Sequence, residues 1–240
     1  APAHEMHPPG SADVSSAPGG EGSLGNSKSA PAGAKEWHYR GYLPHFDRPG
    51  TLQSISFRLH DSVPAAKIEQ WKLMLGWTEK TAADAPEAVE LRRRIERYAD
   101  GGHGDCYLRR PDVAGMVQDA LQYFDGKRYE LIAWCLMPNH VHALIRTFLR
   151  RPLADVVHSW KSFTAHRANQ LLQREGAFWL PDYYDRRIRD KEHFRKAIDY
   201  IHDNPVKAGL VVAAEQWLWS SACPGSADVS SAPSGEDSLG

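Results

Sequence analysis

The sequence predicts an α+β sandwich, in which helices pack on a small antiparallel sheet. Segments with the two-residue period of a strand are interspersed with segments of helical period. At the centre, two apolar segments at 129–136 and 140–147 are separated only by Met137-Pro138-Asn139, which is typical of a hairpin. Since no long Pro/Gly/Ser-rich linker interrupts residues 34–222, we expect one domain there.

The elements follow in order from the periodicity. In 51–60, Ile55, Phe57 and Leu59 alternate with polar residues, as in a half-buried strand. Helical spacing and turn residues then predict helices over 64–75, 86–98 and 111–125, with a short strand at 106–109 between the last two. After the hairpin, helices are predicted over about 153–174 and 191–203.

The two ends of the chain repeat each other. Residues 9–25 and 224–240 are identical at 15 of 17 positions, and both are rich in Gly, Ser, Pro and Ala. Such segments bury too little apolar surface to offset the entropy of ordering, so we expect disordered tails at 1–33 and 223–240. A duplicated low-complexity sequence explains them, and a matched pair of partner-binding peptides is the alternative.

Charge is distributed unevenly. The whole chain has 29 basic and 30 acidic residues, which by itself is unlike a nucleic-acid-binding protein. Without the tails, residues 34–222 carry 28 basic and 24 acidic residues, and 146–207 alone carry 13 basic and 8 acidic. The predicted domain therefore has a basic C-terminal half.

The sequence predicts a cytoplasmic protein. No apolar run approaches the roughly 20 residues that span a bilayer, so no membrane partner is expected. The first residues lack the basic and apolar regions of a secretory signal, and 3 cysteines are too few for a disulfide framework.

A pair of histidines lies in the second strand of the hairpin. His140 and His142 are two residues apart, so both side chains point from one face of the strand, about 7 Å apart at Cα. Two imidazoles placed in this way can converge on one metal ion. Because this spacing also arises by chance, the pair alone leaves metal ligands and ordinary hydrogen-bonded histidines equally open.

A second candidate site lies on the last predicted helix. Tyr200 and Asn204 are one turn apart, away from the centre of its apolar face and on a polar stripe with His193 and Lys196. Asn204 precedes Pro205, which disfavours a helical conformation, so it is either a plain C-terminal residue of the helix or a metal ligand beside a nucleophilic phenol.

Four blocks together resemble a known family. The similarity covers about residues 36–222, and its order and spacing are more specific than any single block. The sequence is similar to the REP-associated tyrosine transposases, IS200-like members of the HUH single-strand transposases, through Trp134–Ile145, Ser159–Ser162, Tyr184–Asp190 and Tyr200–Leu210.

The resemblance implies a ferredoxin-like fold and a metal-dependent transposase or endonuclease. It implies that the enzyme cleaves and rejoins single-stranded DNA through a 5′-phosphotyrosine. In this sequence the nucleophile falls on Tyr200, and the ligands of Mg²⁺ or Mn²⁺ fall on His140, His142 and Asn204. The implied partners are single-stranded or hairpin DNA of repeated extragenic palindromes at the nucleoid, and a monomer is expected rather than a dimer.

The basic half supplies candidate DNA contacts, because basic side chains contact phosphates and aromatic rings stack on unpaired bases. Trp160 falls at helical spacing among apolar residues, so a core position is preferred over a base platform. Tyr183 and Tyr184 are rival nucleophiles without an amide one turn later. The predicted DNA-binding residues are Lys161, Arg186, Arg187, Arg189, Lys196 and Lys207.

Two other classes of function stay open. One is a retained protein that binds DNA hairpins without efficient cleavage. The other is a zinc hydrolase with a water nucleophile at His140 and His142, in which Tyr200 would be dispensable.

Overall fold

A computed structural model of the chain describes residues 37–39, 44–46, 50–82 and 84–226. The predicted N-terminal tail therefore lies outside the described residues, as does the C-terminal tail beyond Ser226. Within the described part, Ser226 is buried and its carbonyl accepts a hydrogen bond from Gln118 Nε2.

Six strands and five α-helices are described. The strands are β1 (Trp37–Tyr39), β2 (Pro44–Phe46), β3 (Leu52–Arg58), β4 (Tyr129–Met137), β5 (His140–Thr147) and β6 (Tyr184–Arg187). The helices are α1 (Ala65–Leu75), α2 (Pro86–Asp100), α3 (Pro111–Gln122), α4 (Leu153–Leu171) and α5 (Lys191–Lys207), with short 3₁₀ turns at Tyr107–Arg109 and Ala214–Gln216.

The main sheet has four antiparallel strands in the order β4-β5-β3-β6, while β1 and β2 pair as a separate ribbon. Helices α1 to α3 lie between β3 and β4 in the chain, and α4 lies between β5 and β6. This strand–helix–strand–strand–helix–strand order, with the first strand between the third and the fourth, is ferredoxin-like. The predicted α+β fold is confirmed.

One face of the sheet is covered by α3 and α4. Phe57 and Val141 on the sheet join a buried cluster with Val117 of α3 and Trp160 of α4. Trp160 is 2% exposed and its Nε1 donates to the Tyr129 hydroxyl at 2.8 Å, so its predicted core position is confirmed. Strand alternation thus sends Val141 into this core and the two flanking histidines to the opposite face.

The opposite face is covered by α5 and by the end of α2. Ala197 and Ile201 of α5 pack on Leu144 of the sheet. Leu91 and Ile95 of α2 pack on α1 through Ile68. Glu96, on another side of α2, faces the part of the sheet that carries His140 and His142.

Three expectations from the sequence are corrected. Residues 106–109 form a 3₁₀ turn rather than a strand, entered through Cys106 at φ 51°. Helix α5 does not end near residue 203 but continues through Pro205 to Lys207. From Ile55 to Arg58, strand β3 is buried on both faces rather than one, because α2 covers Ser56 and Arg58.

Within the described ranges, no helix combines the length and the apolar composition needed to cross a membrane.

Candidate active site

His140 and His142 lie side by side on β5 and point into a narrow space under α2. Their ring centroids are 4.7 Å apart with an interplanar angle of 87°. Both side chains are buried, at 4% and 2% exposure. Arg58 of β3 and Glu96 of α2 line the same space.

Asn139 sets the orientation of the His140 ring. Its Nδ2 donates to the His103 carbonyl at 2.8 Å, which places Oδ1 toward His140 Nδ1 at 2.7 Å. Because Oδ1 can only accept, Nδ1 carries the ring proton of neutral His140. Its Nε2 then presents a lone pair and lies 3.4 Å from Asp100 Oδ1.

Burial keeps both imidazoles neutral near pH 7. It lowers the pKa of His140 from its usual value, although Asp100 opposes the shift. It lowers the pKa of His142 further, with His140 and Arg58 adding to the effect. Neutral imidazole is the form that binds metal ions.

The site contains polar atoms that lack partners. Among the side chains that the structure describes, buried His142 Nε2 and Asp100 Oδ1 have no hydrogen-bond partner. One ligand atom from each of Asp100, His140 and His142 falls within 4.8 Å of the others. Two imidazole nitrogens and a carboxylate oxygen that lie this close together fit a divalent cation.

Tyr200 of α5 lies directly beside this pair. Its ring centroid is 5.5 Å from that of His142, edge to face at 88°. Burial raises the pKa of Tyr200 above its ordinary value, and the carboxylates of Glu96 and Asp100 raise it further. Lys207 Nζ lies 5.2 Å from the centroid of the phenol ring. The structure therefore brings together the predicted nucleophile and the predicted histidines.

Of the two rival tyrosines, one is buried in the core and the other lies near Tyr200. Tyr183 is buried in the core on the far side of the sheet. Tyr184 lies on β6 with Arg92 Cζ 5.2 Å from its ring centroid, and burial raises its pKa.

Asn204 is buried one turn beyond Tyr200, inside α5. Its Nδ2 has no hydrogen-bond partner among the described residues. Its role as a metal ligand stays a prediction.

A groove of about 660 Å³ leads from the surface to Tyr200 and His142. Four predicted DNA-binding residues line it: Arg186, Arg187, Arg189 and Lys196. The opposite wall belongs to α2 and is formed by Arg92, Arg93 and Glu96.

Lys161, by contrast, is held by backbone carbonyls. Its Nζ donates to the carbonyls of Leu180 and Pro181, both at 2.6 Å. Burial lowers its pKa to about 8. The lysine therefore fastens the segment before β6 to α4, and neither it nor Lys207 is among the groove-lining residues.

Sequence reasoning missed the contribution of α2. Its residues 92–100 show helical periodicity, but the pattern carries no signal for the sheet face on which the helix docks.

The family described as "Transposase IS200 like" matches residues 112–204. A protein of Haemophilus influenzae named as a REP-associated tyrosine transposase is 27% identical over 105 residues, which cover 39% of this chain and 58% of that protein. The REP-associated tyrosine transposase of Escherichia coli is 27% identical over 92 residues, covering 38% and 53%. The chain thus spans little more than half the length of these relatives.

A solved structure of a REP-associated tyrosine transposase bound to a REP hairpin overlaps 76% of this chain and 81% of that chain. Its TM-score is 0.47 and its sequence identity 17%. The segment matched by the family contains His140, His142 and Tyr200, all in one site. Residues 112–204 thus match the IS200-like transposase family, and the resemblance to REP-associated tyrosine transposases is confirmed.

Proposed function

We propose that this chain is a metal-dependent transposase or endonuclease for single-stranded DNA, with Tyr200 as its nucleophile. The observation that carries the proposal is the edge-to-face contact of Tyr200 with His142, at the inner end of a basic groove. The match of this segment to transposases supports it. An activity on repeated extragenic palindromes would place the protein at the nucleoid.

His140 and His142 would hold the metal ion, Mg²⁺ or Mn²⁺, with Asn204 as the third ligand expected from the family resemblance. The buried, unpartnered His142 Nε2 supports such a site within the described residues. A divalent cation bound there would withdraw charge from the non-bridging phosphate oxygens and orient the scissile phosphate.

The phenolate oxygen of Tyr200 would attack the phosphorus in line. A bond forms between phosphorus and the Tyr200 oxygen, and the bond from phosphorus to the 3′ oxygen breaks. The departing oxygen takes up a proton, leaving a 3′-hydroxyl and a 5′-phosphotyrosine. Since one phosphodiester replaces another, the reverse attack by a 3′-hydroxyl rejoins strands without an external energy source.

The phenol needs help to lose its proton, because burial raises the pKa of Tyr200. Glu96 lines the same groove, and burial raises its pKa as well. A carboxylate with a raised pKa suits a general base for this proton.

The groove would bind the DNA strand. Exposed Arg186 and Arg189 line one wall and Arg92 the other, so a phosphate backbone between them meets cations on both sides. We propose single-stranded or hairpin DNA as the partner and a monomer as the active form.

The test incubates the full chain with end-labelled hairpin DNA and Mn²⁺ and looks for an adduct that survives denaturation. Wild type is expected to form the adduct and Tyr200→Phe to form none. Tyr184→Phe is the matched control in the same groove and is expected to retain it. Cleavage by Tyr200→Phe would contradict the mechanism and favour a hydrolase. Wild-type binding without any cleavage would favour the binding-only protein.

A further inference from the structure

Two possible ligand atoms face each other in the histidine site. His140 Nδ1 is engaged by Asn139 Oδ1, so Nε2 is the ring nitrogen that faces Asp100 Oδ1, 3.4 Å away. Their separation is typical of two ligands bound to one metal ion at about 2.1 Å each.

We propose that Asp100 is a metal ligand, so that a carboxylate from α2 joins His140 and His142 around one divalent cation. The inference rests on the proposed function but goes beyond it, because Asp100 lies outside the matched residues 112–204. It would either complete the site with Asn204 or take the place of Asn204.

Burial supports the assignment. His142 Nε2 and Asp100 Oδ1 are both enclosed and, within the part of the chain that is described, both lack hydrogen-bond partners. His142 is 2% exposed, so water does not readily satisfy its free nitrogen. The ligand atoms of the three residues already lie within 4.8 Å of one another, and binding would require them to close by roughly 1 Å.

Charge also supports it. Two neutral imidazoles and an amide supply no negative charge, whereas hard cations bind more tightly as the number of carboxylate ligands rises. Arg58 and Glu96 in the same space have opposite formal charges. With Asp100, a doubly charged cation leaves the site one positive charge, which matches a single phosphodiester.

The position of Asp100 in α2 also favours cation binding. It is the last residue of the helix, at the negative end of the helix dipole. A cation at this end is favoured by the helix dipole. Its binding would fasten the end of α2 to β5, the strand that carries the histidines.

The experiment measures Mn²⁺ binding to the full chain by calorimetry, without DNA. We expect Asp100→Asn to weaken binding at least tenfold, His142→Ala to weaken it as much or more, and Glu90→Gln to leave it unchanged. Glu90 is the matched control because it lies on α2 and pairs with Arg93 and Arg94. Unchanged binding by Asp100→Asn would overturn the inference, as would the absence of Mn²⁺ binding in wild type.

A second measurement covers the case in which Asp100→Asn is misfolded. In wild type, Mn²⁺ should slow amide hydrogen exchange at the end of α2, residues 96–100, at least tenfold. Unchanged exchange there at saturating Mn²⁺ would overturn the inference. The DNA adduct assay reports separately on the proposed function, which stands if wild type forms the adduct while Asp100→Asn binds Mn²⁺ normally.

Discussion

Asn139 Oδ1 lies 2.7 Å from His140 Nδ1 and fixes which nitrogen of that ring is free. Its amide in turn donates to the His103 carbonyl at 2.8 Å. A residue adjacent to the histidine pair therefore ties the ring to the loop that follows α2.

Replacing Asn139 by Ala should weaken Mn²⁺ binding about 10- to 100-fold, because partners that orient a metal-binding histidine have effects of that size. Calorimetry of the metal-free protein measures it. Asn169→Ala is the control, since its Nδ2 makes a comparable bond to the Gly176 carbonyl at 2.9 Å outside the site. Equal binding by both variants would show that Asn139 does not orient His140.

Gly104→Ala should destabilise the loop that holds Asn139. At φ 85° an added Cβ would lie 2.8 Å from the carboxylate and carbonyl of Asp61. Gly176→Ala is the matched control, with φ 90° and no atom within 4 Å. We expect about 1–2 kcal/mol from backbone strain in the control and a larger loss for Gly104→Ala, measured by urea unfolding. Equal losses would contradict the steric argument.

Lys161→Met should lower stability and leave DNA binding unchanged. The substitution removes the donor to the carbonyls of Leu180 and Pro181. Buried acceptors left without a hydrogen-bond donor lower the free energy of unfolding by about 1–3 kcal/mol. Urea unfolding measures the loss, and fluorescence anisotropy with labelled single-stranded DNA measures binding. A large loss of affinity without a loss of stability would restore Lys161 as a DNA contact.

Arg92→Ala and Arg186→Ala should each weaken single-strand binding and reduce its salt dependence. Both line the groove, from opposite walls. Each lost phosphate contact is expected to lower the slope of log K against log salt by about 0.7. Arg97→Ala, an exposed residue of α2 that is not among the lining residues, is the control. An unchanged slope for Arg92→Ala would show that this residue of α2 does not contact the DNA backbone.

Stability of the metal-free protein should fall as the pH drops below about 6.5. Burial lowers the pKa of His142 well below its usual value. As the pH falls, His142 is therefore protonated in the unfolded chain before it is protonated in the folded chain. Stability is therefore fully present above the unfolded pKa and is lost below it, by up to about 1.4 kcal/mol per pH unit for this residue. Urea unfolding at pH 7.5, 6.5 and 5.5 with chelator measures it.

His142→Asn should flatten that profile. An equal slope in wild type and variant would mean that other groups, such as His140 or His202, govern the acid sensitivity.

Much of the architecture was predictable because local periodicity survives folding. The hairpin and α3 bury the apolar faces that their sequences show. Strand β6 was missed because Tyr184-Asp185-Arg186-Arg187 has no apolar alternation, and pairing with β3 alone makes it a strand. The extension of α5 through Pro205 was missed because the preference before proline is overridden by packing at the helix end.

The candidate site also contains residues that the sequence predicts and residues that it does not. His140 and His142 share a face, as strand geometry predicts. Tyr200 lies beside His142, although it also packs against the apolar cluster of Ala197 and Ile201. Asp100, Glu96 and Arg92 reach the site only through the docking of α2. That docking is a long-range contact without a local signal in the sequence.

The strand order also determines which fragments of the chain can fold. Strand β3 lies between β5 and β6, so the sheet that holds the groove is completed by residues 52–58. An excised fragment 112–204 would lack this strand and leave β6 with no neighbour to pair with. Dissection of the domain should therefore begin before Leu52, since a shorter piece would expose unpaired strand edges and aggregate.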